Sequence, residues 1–325
     1  MGRININTKF TMLIGTPLTQ SFAARMQNAG YKASGLDMRY FYTEADSTHL
    51  KEILGGIRYM PSFIGAAITR PNKVAVMQYL DEIDPLCRKM GSCNTIVKDE
   101  QGRLVGYNTD GIGFITSIRK DASFDPADKT FFCIGAGGAG RAMCSALADA
   151  GATKIYVTDI MEESSRWLVR DINGSFAPIA EYVPFGDFAK IPECDCVMNA
   201  SGIGMGSSIG TSPIPASLIS PQQFCFDACY NPRHTQFLLD AEEKGCKVLN
   251  GLGMSLYQGA AQVELWSGGP APIEIMRAEL ERICDELEAQ HRFAQEPKST
   301  KEALEVLHEG IIEGSELYVE RKDDY

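Results

Sequence analysis

The sequence predicts an α/β protein of about two domains, with parallel sheets covered by helices on both faces. Three observations predict it. Short β-rich runs alternate with longer helical patterns from the N-terminus onward. A glycine-rich turn, Gly135 to Gly140, follows one of the apolar runs and opens one of the helical ones. The 325 residues are 44% hydrophobic and 22% charged, an ordinary globular composition with enough length for a sizeable core.

In chain order, Met1 to Thr11 alternates Ile with Asn and Thr and reads as a first strand rather than a signal peptide. Thr11-Met12-Leu13-Ile14-Gly15 reads as a buried strand ending in a Gly-x-Pro turn. Residues 21 to 30 read as a helix closed by Gly30. Ile64 to Thr69 is another strand, followed by Pro71 and a helix to about Leu80. From Thr130 the pattern is clearest: an apolar run (Phe131 to Ile134), the glycines, a helical stretch from Arg141 to Ala150, then a strand from Lys154 to Thr158 ending in Asp159. Cys196 to Ala200 and Phe224 to Asp227 are further strands. Helices are expected over Ser255 to Trp266 and from Pro272 to about Ala289. The sequence then turns polar, with a last helix-like stretch from Lys301 to Ile312. This tail is either a solvated appendage or an edge that docks on a partner subunit, which leaves a homodimer open.

There are 31 Lys and Arg against 42 Asp and Glu, a net charge of -11. That balance argues against a protein that grips nucleic acid or an anionic membrane over a broad face, and no run of about 18 apolar residues offers a membrane span. A local pocket for one anionic ligand is still allowed. The ten cysteines form no C-x-x-C pair and the four histidines lie far from any regular cysteine spacing, so no metal site is expected. The thiols are expected to be small core hydrophobes, reduced in the cytosol.

Gly135-x-Gly137-x-x-Gly140 follows a strand, opens a helix and sits in a βαβ unit with an acid, Asp159, ending the next strand. That is the context a dinucleotide-binding fingerprint requires, and a purely structural glycine turn is the weaker explanation. Gly135 permits the tight turn, Gly137 lets backbone N–H groups approach a pyrophosphate, and Gly140 allows close packing of helix on strand. Ala136, Gly138 and Ala139 complete the loop, whose helix N-terminus offers the positive end of its dipole. A carboxylate at Asp159 accepts hydrogen bonds from both ribose hydroxyls and repels a 2′-phosphate. Ile160, Met161, Glu162 and Glu163 hold no cation for such a phosphate. NAD is therefore expected in preference to NADP. Arg166, one turn further on, is the counter-argument, and a helix N-cap is the alternative use of Asp159.

Other segments occur in a recognisable order: Gly15-Thr16-Pro17-Leu18-Thr19-Gln20-Ser21, Ala67-Ile68-Thr69-Arg70-Pro71-Asn72-Lys73, Gly91-Ser92-Cys93-Asn94-Thr95 and Tyr107-Asn108-Thr109-Asp110-Gly111. They continue with Asn199-Ala200-Ser201-Gly202-Ile203-Gly204-Met205, Asp227-Ala228-Cys229-Tyr230-Asn231-Pro232 and Gly251-Leu252-Gly253-Met254-Ser255-Leu256-Tyr257-Gln258. The set resembles the shikimate/quinate dehydrogenase family from about residue 8 to about residue 285. The resemblance implies a Rossmann-type NAD-binding domain at residues 116–248 and an α/β substrate-binding domain formed from both chain ends, 1–115 and 249–287. A polar tail at 288–325 remains. It also implies a cytoplasmic oxidoreductase that interconverts a ring secondary alcohol and its ketone on shikimate, quinate or a related hydroxylated cyclic carboxylate.

Lys73 matches the family's catalytic lysine and Asp110 its carboxylate partner. A lysine serves as base once desolvation lowers its pKa, and a neighbouring carboxylate orients it while raising that pKa again. The bland alternative is a surface ion pair. By the same matching, Ser21, Thr69, Asn94, Asp110, Tyr230 and Gln258 would contact the substrate, and Ala228, Gly251 and Met254 would flank the nicotinamide. Two departures bear on the substrate. The family usually carries His-Ser-x-Ser-Pro in the first loop, with both serines on the substrate carboxylate. Here Gln20-Ser21-Phe22-Ala23-Ala24 keeps Ser21 and places Ala23 at the second serine. The family's Asn-Val-Thr-Val-Pro-Phe-Lys becomes Ala67 to Lys73, losing an asparagine and adding Arg70. A hydrogen bond to a charged group contributes about 1.5–3 kcal/mol, so a substitute donor is expected from Arg70, Gln20 or Thr19. Two rivals stand beside this reading. One is an NAD-binding regulatory or sensor protein, motivated by the altered loop and opposed by the retained Lys73 and Asp110. The other is a methylenetetrahydrofolate dehydrogenase-like enzyme, opposed by the Asn-Thr-Asp-Gly and Gly-Leu-Gly-Met segments.

Overall fold

The computed structural model describes residues 4–18 and 21–295; Thr19, Gln20 and the helix expected from Lys301 lie outside the described residues. The chain divides into two compact units, Met1–Ile283 and Cys284–Tyr325. Both sheets belong to the first unit, and the second begins within the last helix.

The first sheet opens with β1 (Lys9–Gly15). The alternation before it is not strand: Thr8 N donates to the Asn5 carbonyl at 3.1 Å, closing a turn that leaves Ile4 and Ile6 exposed. Next come α1 (Ala23–Ala33), β2 (Met38–Glu44), α2 (Leu50–Ile57) and β3 (Phe63–Ile68). Gly30 does not close α1. It lies inside the helix, where a Cβ would stand 3.2 Å from Met276 Cγ, and the left-handed stop is Gly35 at φ +66°. After Pro71 only a short 3-10 helix forms, Ala75–Tyr79, ended by the extended Leu80. Four more elements complete the sheet: β4 (Glu82–Ile83), α3 (Pro85–Met90), β5 (Thr95–Lys98) and β6 (Leu104–Tyr107).

The strand order is β2-β1-β3-β5-β6-β4, with β1 parallel to β2 and β3 but β5 antiparallel to β3 and β6. The expectation of wholly parallel sheets therefore fails here. The link between β5 and β6 is a hairpin in which Asp99 accepts from Gln101 N and Arg103 N, and a parallel crossover needs about a dozen residues.

After α4 (Asp110–Lys120) the second sheet is built from β7 (Thr130–Ile134), α5 (Gly138–Asp149), β8 (Lys154–Thr158), α6 (Glu162–Ser175) and β9 (Ala180–Tyr182). It continues with β10 (Cys196–Asn199), β11 (Phe224–Asp227), α7 (Gln236–Glu243) and β12 (Lys247–Asn250). Its order is β12-β11-β10-β7-β8-β9 and every pair is parallel. This is the doubly wound, Rossmann-type arrangement, whose strand order reverses between β7 and β10. The apolar run of β7 is continuous because both faces are covered. Phe131 and Cys133 join Phe114, Leu147 and Phe226, while Phe132 and Ile134 join Val197, Phe237 and Leu238 on the other side.

From β12 the chain enters α8 (Leu252–Ser267) and then α9 (Ile273–Gln295). Helix α8 lies back against the first sheet, where Trp266 Nε1 donates to Ile96 O at 2.9 Å and Gln262 Nε2 to Thr95 Oγ1 at 3.0 Å. The ten cysteines are free thiols. Among the described residues no helix is long and apolar enough to cross a membrane.

Candidate active site

A cavity of about 250 Å³ opens among β1, β3, α4, α5 and α8. It brings together Ser21, Thr69, Lys73, Asn94, Asp110, Tyr230 and Gln258, all of the residues expected to act on the substrate. Ala139, Ala228, Gly251 and Met254, expected to contact the dinucleotide, line it as well. Lys73 Nζ stands 2.6 Å from Asp110 Oδ2, with side chains only 19% and 10% exposed. A pair this shielded is not a surface ion pair.

Local structure explains where these groups point. Asp110 is the first residue of α4 and its N–H donates to Asn108 Oδ1 at 3.0 Å, while Asn108 Nδ2 holds the Ser92 carbonyl at 2.8 Å. A carboxylate there is stabilised by the helix N-terminus. Lys73 is held from behind by Cys93 N, which donates to its carbonyl at 2.8 Å, and its neighbour Asn72 donates through Nδ2 to Ala45 O. Asn94 is buried: Oδ1 accepts from Thr109 N at 2.7 Å, and Nδ2 donates to Thr109 Oγ1 and, at 3.4 Å, to Gln258 Oε1. Tyr230 meets Phe22 edge to face at 5.2 Å between ring centroids.

The glycine turn follows β7 at the point where the strand order reverses. Gly135 has φ +106°, and a Cβ would stand 2.6 Å from the Ala200 backbone; one on Gly140 would strike the Gly135 carbonyl. Gly137 caps α5 without a side chain, and nothing stands within 4 Å of where its Cβ would be. An open glycine at a helix N-terminus is a cradle that suits a pyrophosphate. Gly138 is next to the cavity, its Cβ position 3.4 Å from Lys73 Cδ. Gly251 presses on Ala228, whose carbonyl a side chain would strike.

Some expectations shift. Arg70 is exposed and does not line the cavity, while the other two substitute donors, Thr19 and Gln20, lie outside the described residues. Asp159 spends its carboxylate on the protein: Oδ2 accepts from Ala136 N at 2.6 Å and Oδ1 from Met161 N at 2.8 Å. Tyr40, Met26, Ser255 and Gln262 also line the cavity without having been expected. Helical spacing is signal enough for Ser255 and Gln262, which continue the stripe of Gly251 and Gln258 along α8. Tyr40 lies on β2, a strand whose sequence shows no clear period.

Comparison with known proteins matches residues 13–96 to the shikimate dehydrogenase substrate-binding domain and residues 251–281 to the shikimate 5'-dehydrogenase C-terminal domain. The NADP(+) shikimate dehydrogenase of Desulforamulus reducens is 39% identical over 279 residues, covering 85% of this chain and 95% of the relative. The shikimate 5-dehydrogenase of Listeria monocytogenes, solved with shikimate and NAD, superposes with a TM-score of 0.81 at 32% identity, covering 86% of this chain and 99% of that one. The enzyme of Thermus thermophilus, solved with NADP(H) and shikimate, gives 0.76 at 30% identity, covering 84% and 99%. These relatives correct the expected preference for NAD over NADP, since proteins this similar are described with NADP. The expectation rested on an Asp159 carboxylate free for ribose, whereas both its oxygens are bound to backbone. It also set aside Arg166, whose guanidinium lies 4.1 Å over the Tyr182 ring.

Proposed function

The chain belongs to the shikimate dehydrogenase family, and from that premise we propose that it interconverts a secondary alcohol and a ketone on the ring of shikimate, quinate or a close relative. The observation that carries the proposal is the shielded Lys73–Asp110 pair, 2.6 Å long, in a cavity reached by both sheets. A bound nicotinamide dinucleotide supplies the hydride acceptor or donor.

In the oxidising direction Lys73 Nζ, as the free amine, takes the proton of the substrate hydroxyl as hydride leaves the same carbon. In the reducing direction its ammonium returns that proton to the forming alkoxide. Asp110 orients the amine and keeps one lysine rotamer in place. Asn94, Thr69 and Gln258 present polar atoms to the ring hydroxyls, and Met254 and Ala228 shape the wall against which the transfer occurs. The division of labour, with the first sheet and α8 on the substrate and the second sheet on the dinucleotide, is part of the proposal.

The test is nicotinamide absorbance during oxidation of shikimate and quinate with NADP+, on wild type and K73A. Turnover is expected in the wild type. Loss of the acid–base group should lower kcat by about 10²–10⁴-fold in K73A, with calorimetric cofactor affinity retained. Absence of wild-type turnover on both acids, with cofactor bound, would refute the reading; equal loss of turnover and cofactor affinity in K73A would remove Lys73 from the acid–base role.

A further inference from the structure

On the face of the second sheet that packs against α7, Val197, Cys225 and Val248 belong to the apolar core. Two residues further along each strand the same face turns polar. Asn199, Asp227 and Asn250 stand side by side, in register across β10, β11 and β12. Each closes the turn that follows it, its side-chain oxygen accepting from the backbone N–H two residues on. Asn199 Oδ1 accepts from Ser201 N at 3.1 Å, Asp227 Oδ1 from Cys229 N at 2.9 Å and Asn250 Oδ1 from Leu252 N at 3.0 Å. The three turns lie at the C-terminal edge of a doubly wound sheet, the edge where such sheets bind their ligands.

Asp227 ties this row together. Its carboxyl group also accepts from Asn199 Nδ2 in the neighbouring strand at 3.0 Å, and from Thr235 Oγ1 at 2.6 Å, where the chain enters α7. The loop between, 228–235, is thereby fastened near both ends. It carries Ala228 and Tyr230 to the cavity, and Gly251 at the head of α8 rests on it, its N–H donating to Cys229 O at 3.0 Å. Asp227 itself is fully buried and does not line the cavity. Stability alone does not call for an acid here, because the layer beneath is apolar and burying a charge is costly. What the acid supplies is direction, since it holds three separate donors at fixed places around the loop.

We propose that Asp227 is a positioning residue for hydride transfer: by fastening the 228–235 loop it sets where the wall formed by Ala228, Gly251 and Met254 holds the nicotinamide against the substrate. The inference rests on the function proposed above, which puts the nicotinamide on that wall.

D227L and D227N in the full chain are the probes. Leucine accepts no hydrogen bond. Asparagine keeps Oδ1 for Cys229 and Asn199, and its amide donates to Thr235 Oγ1 once that hydroxyl turns. In D227L the nicotinamide fluorescence of bound NADPH is expected to lose anisotropy, while calorimetric affinity for NADPH stays within about threefold because the glycine turn still holds it. Its kcat for shikimate oxidation with NADP+ should fall by about 10–10²-fold. The isotope effect from shikimate deuterated at the reacting carbon should rise, whereas a loss of folded enzyme lowers the rate and leaves that effect where it was. D227N is expected to restore anisotropy and isotope effect together. If D227L gives no melting transition, T235V takes its place: it removes one of the three donors and should move both readouts the same way by a smaller step. Wild-type anisotropy and isotope effect in the variant tested, or a D227N no better than D227L, overturns the inference. A wild type that oxidises neither ring acid while the anisotropies follow the expected order removes only the catalytic proposal, and one that binds no NADPH removes both.

Discussion

Asp227, at the end of β11, is fully buried, and its carboxylate accepts from Thr235 Oγ1 at 2.6 Å, Cys229 N at 2.9 Å and Asn199 Nδ2 at 3.0 Å. Burial nevertheless holds its pKa above the ordinary carboxylate value, outweighing those hydrogen bonds. The folded state thus binds this proton more tightly than the unfolded chain does. Its contribution to stability is fully present below the unfolded pKa and is lost as pH rises through the folded one. D227N removes the titration, so its melting temperature relative to wild type should rise steadily as pH is raised from about 3 to about 7. Any constant cost of the amide cancels in that slope; a flat or falling difference would show that the buried charge carries no penalty. Single residues like this one are only partly legible in the sequence. The glycine turn is, because its function dictates its spacing. Lys73 and Asp110, 37 positions apart, carry no local signal of being partners and are paired through family resemblance alone. Tyr40 is invisible there, since a buried hydroxyl with no hydrogen-bond partner among the described residues is a property of packing.

The close crossing of α4 and α8 brings Asp110 and Gln258 to the wall of one cavity. Gly113 makes it possible: a Cβ there would lie 2.5 Å from Met254 O and 2.7 Å from Gln258 N, which are backbone atoms that cannot swing aside. Overpacking costs about 1–3 kcal/mol, against roughly 1 kcal/mol that Ala gains over Gly inside a helix. G113A should therefore melt below wild type and lose activity as the two helices part. Gly55 in α2 has nothing within 4 Å of its Cβ position, so G55A should be stabilising by about 0.5–1 kcal/mol. Calorimetric melting of both variants checks the pair, and a G113A that melts above wild type would show that the crossing has room to spare. Elements with both faces buried, such as β7 and β10, are legible as apolar runs. The half-exposed β2 and the short β4, β9 and β12 are not, because a few residues with mixed burial show no period. The mixed first sheet escapes for a related reason: strand direction depends on the length of the link, and the Asp99 hairpin has no strong turn signal to mark it.

At the scale of the whole molecule, charge and function pull in opposite directions. The chain carries a net charge of -11, yet its proposed cofactor is a polyanion and its ring acids are anions too. Cations near the cofactor cradle are already paired: Lys73 with Asp110, Arg141 with Asp171 at 2.8 Å, and Arg166 with Glu162 at 2.6 Å. On the proposed function, capture of the dinucleotide rests on backbone N–H groups and the α5 terminus, which act at short range, whereas the repulsion from the remaining charge acts at long range. Salt separates the two, because the Debye length falls from about 30 Å at 0.01 M to about 8 Å at 0.15 M. Long-range repulsion is screened over that interval and contacts inside the cradle are screened far less. The KM for NADP+ should therefore stay level or fall as sodium chloride is raised across it. A site held by unpaired lysines and arginines would behave in the opposite way, its KM climbing steeply as screening removes the attraction. Initial rates at several salt concentrations decide the matter, and a KM that climbs by about tenfold would mean that cations beyond the paired Lys73, Arg141 and Arg166 hold the cofactor.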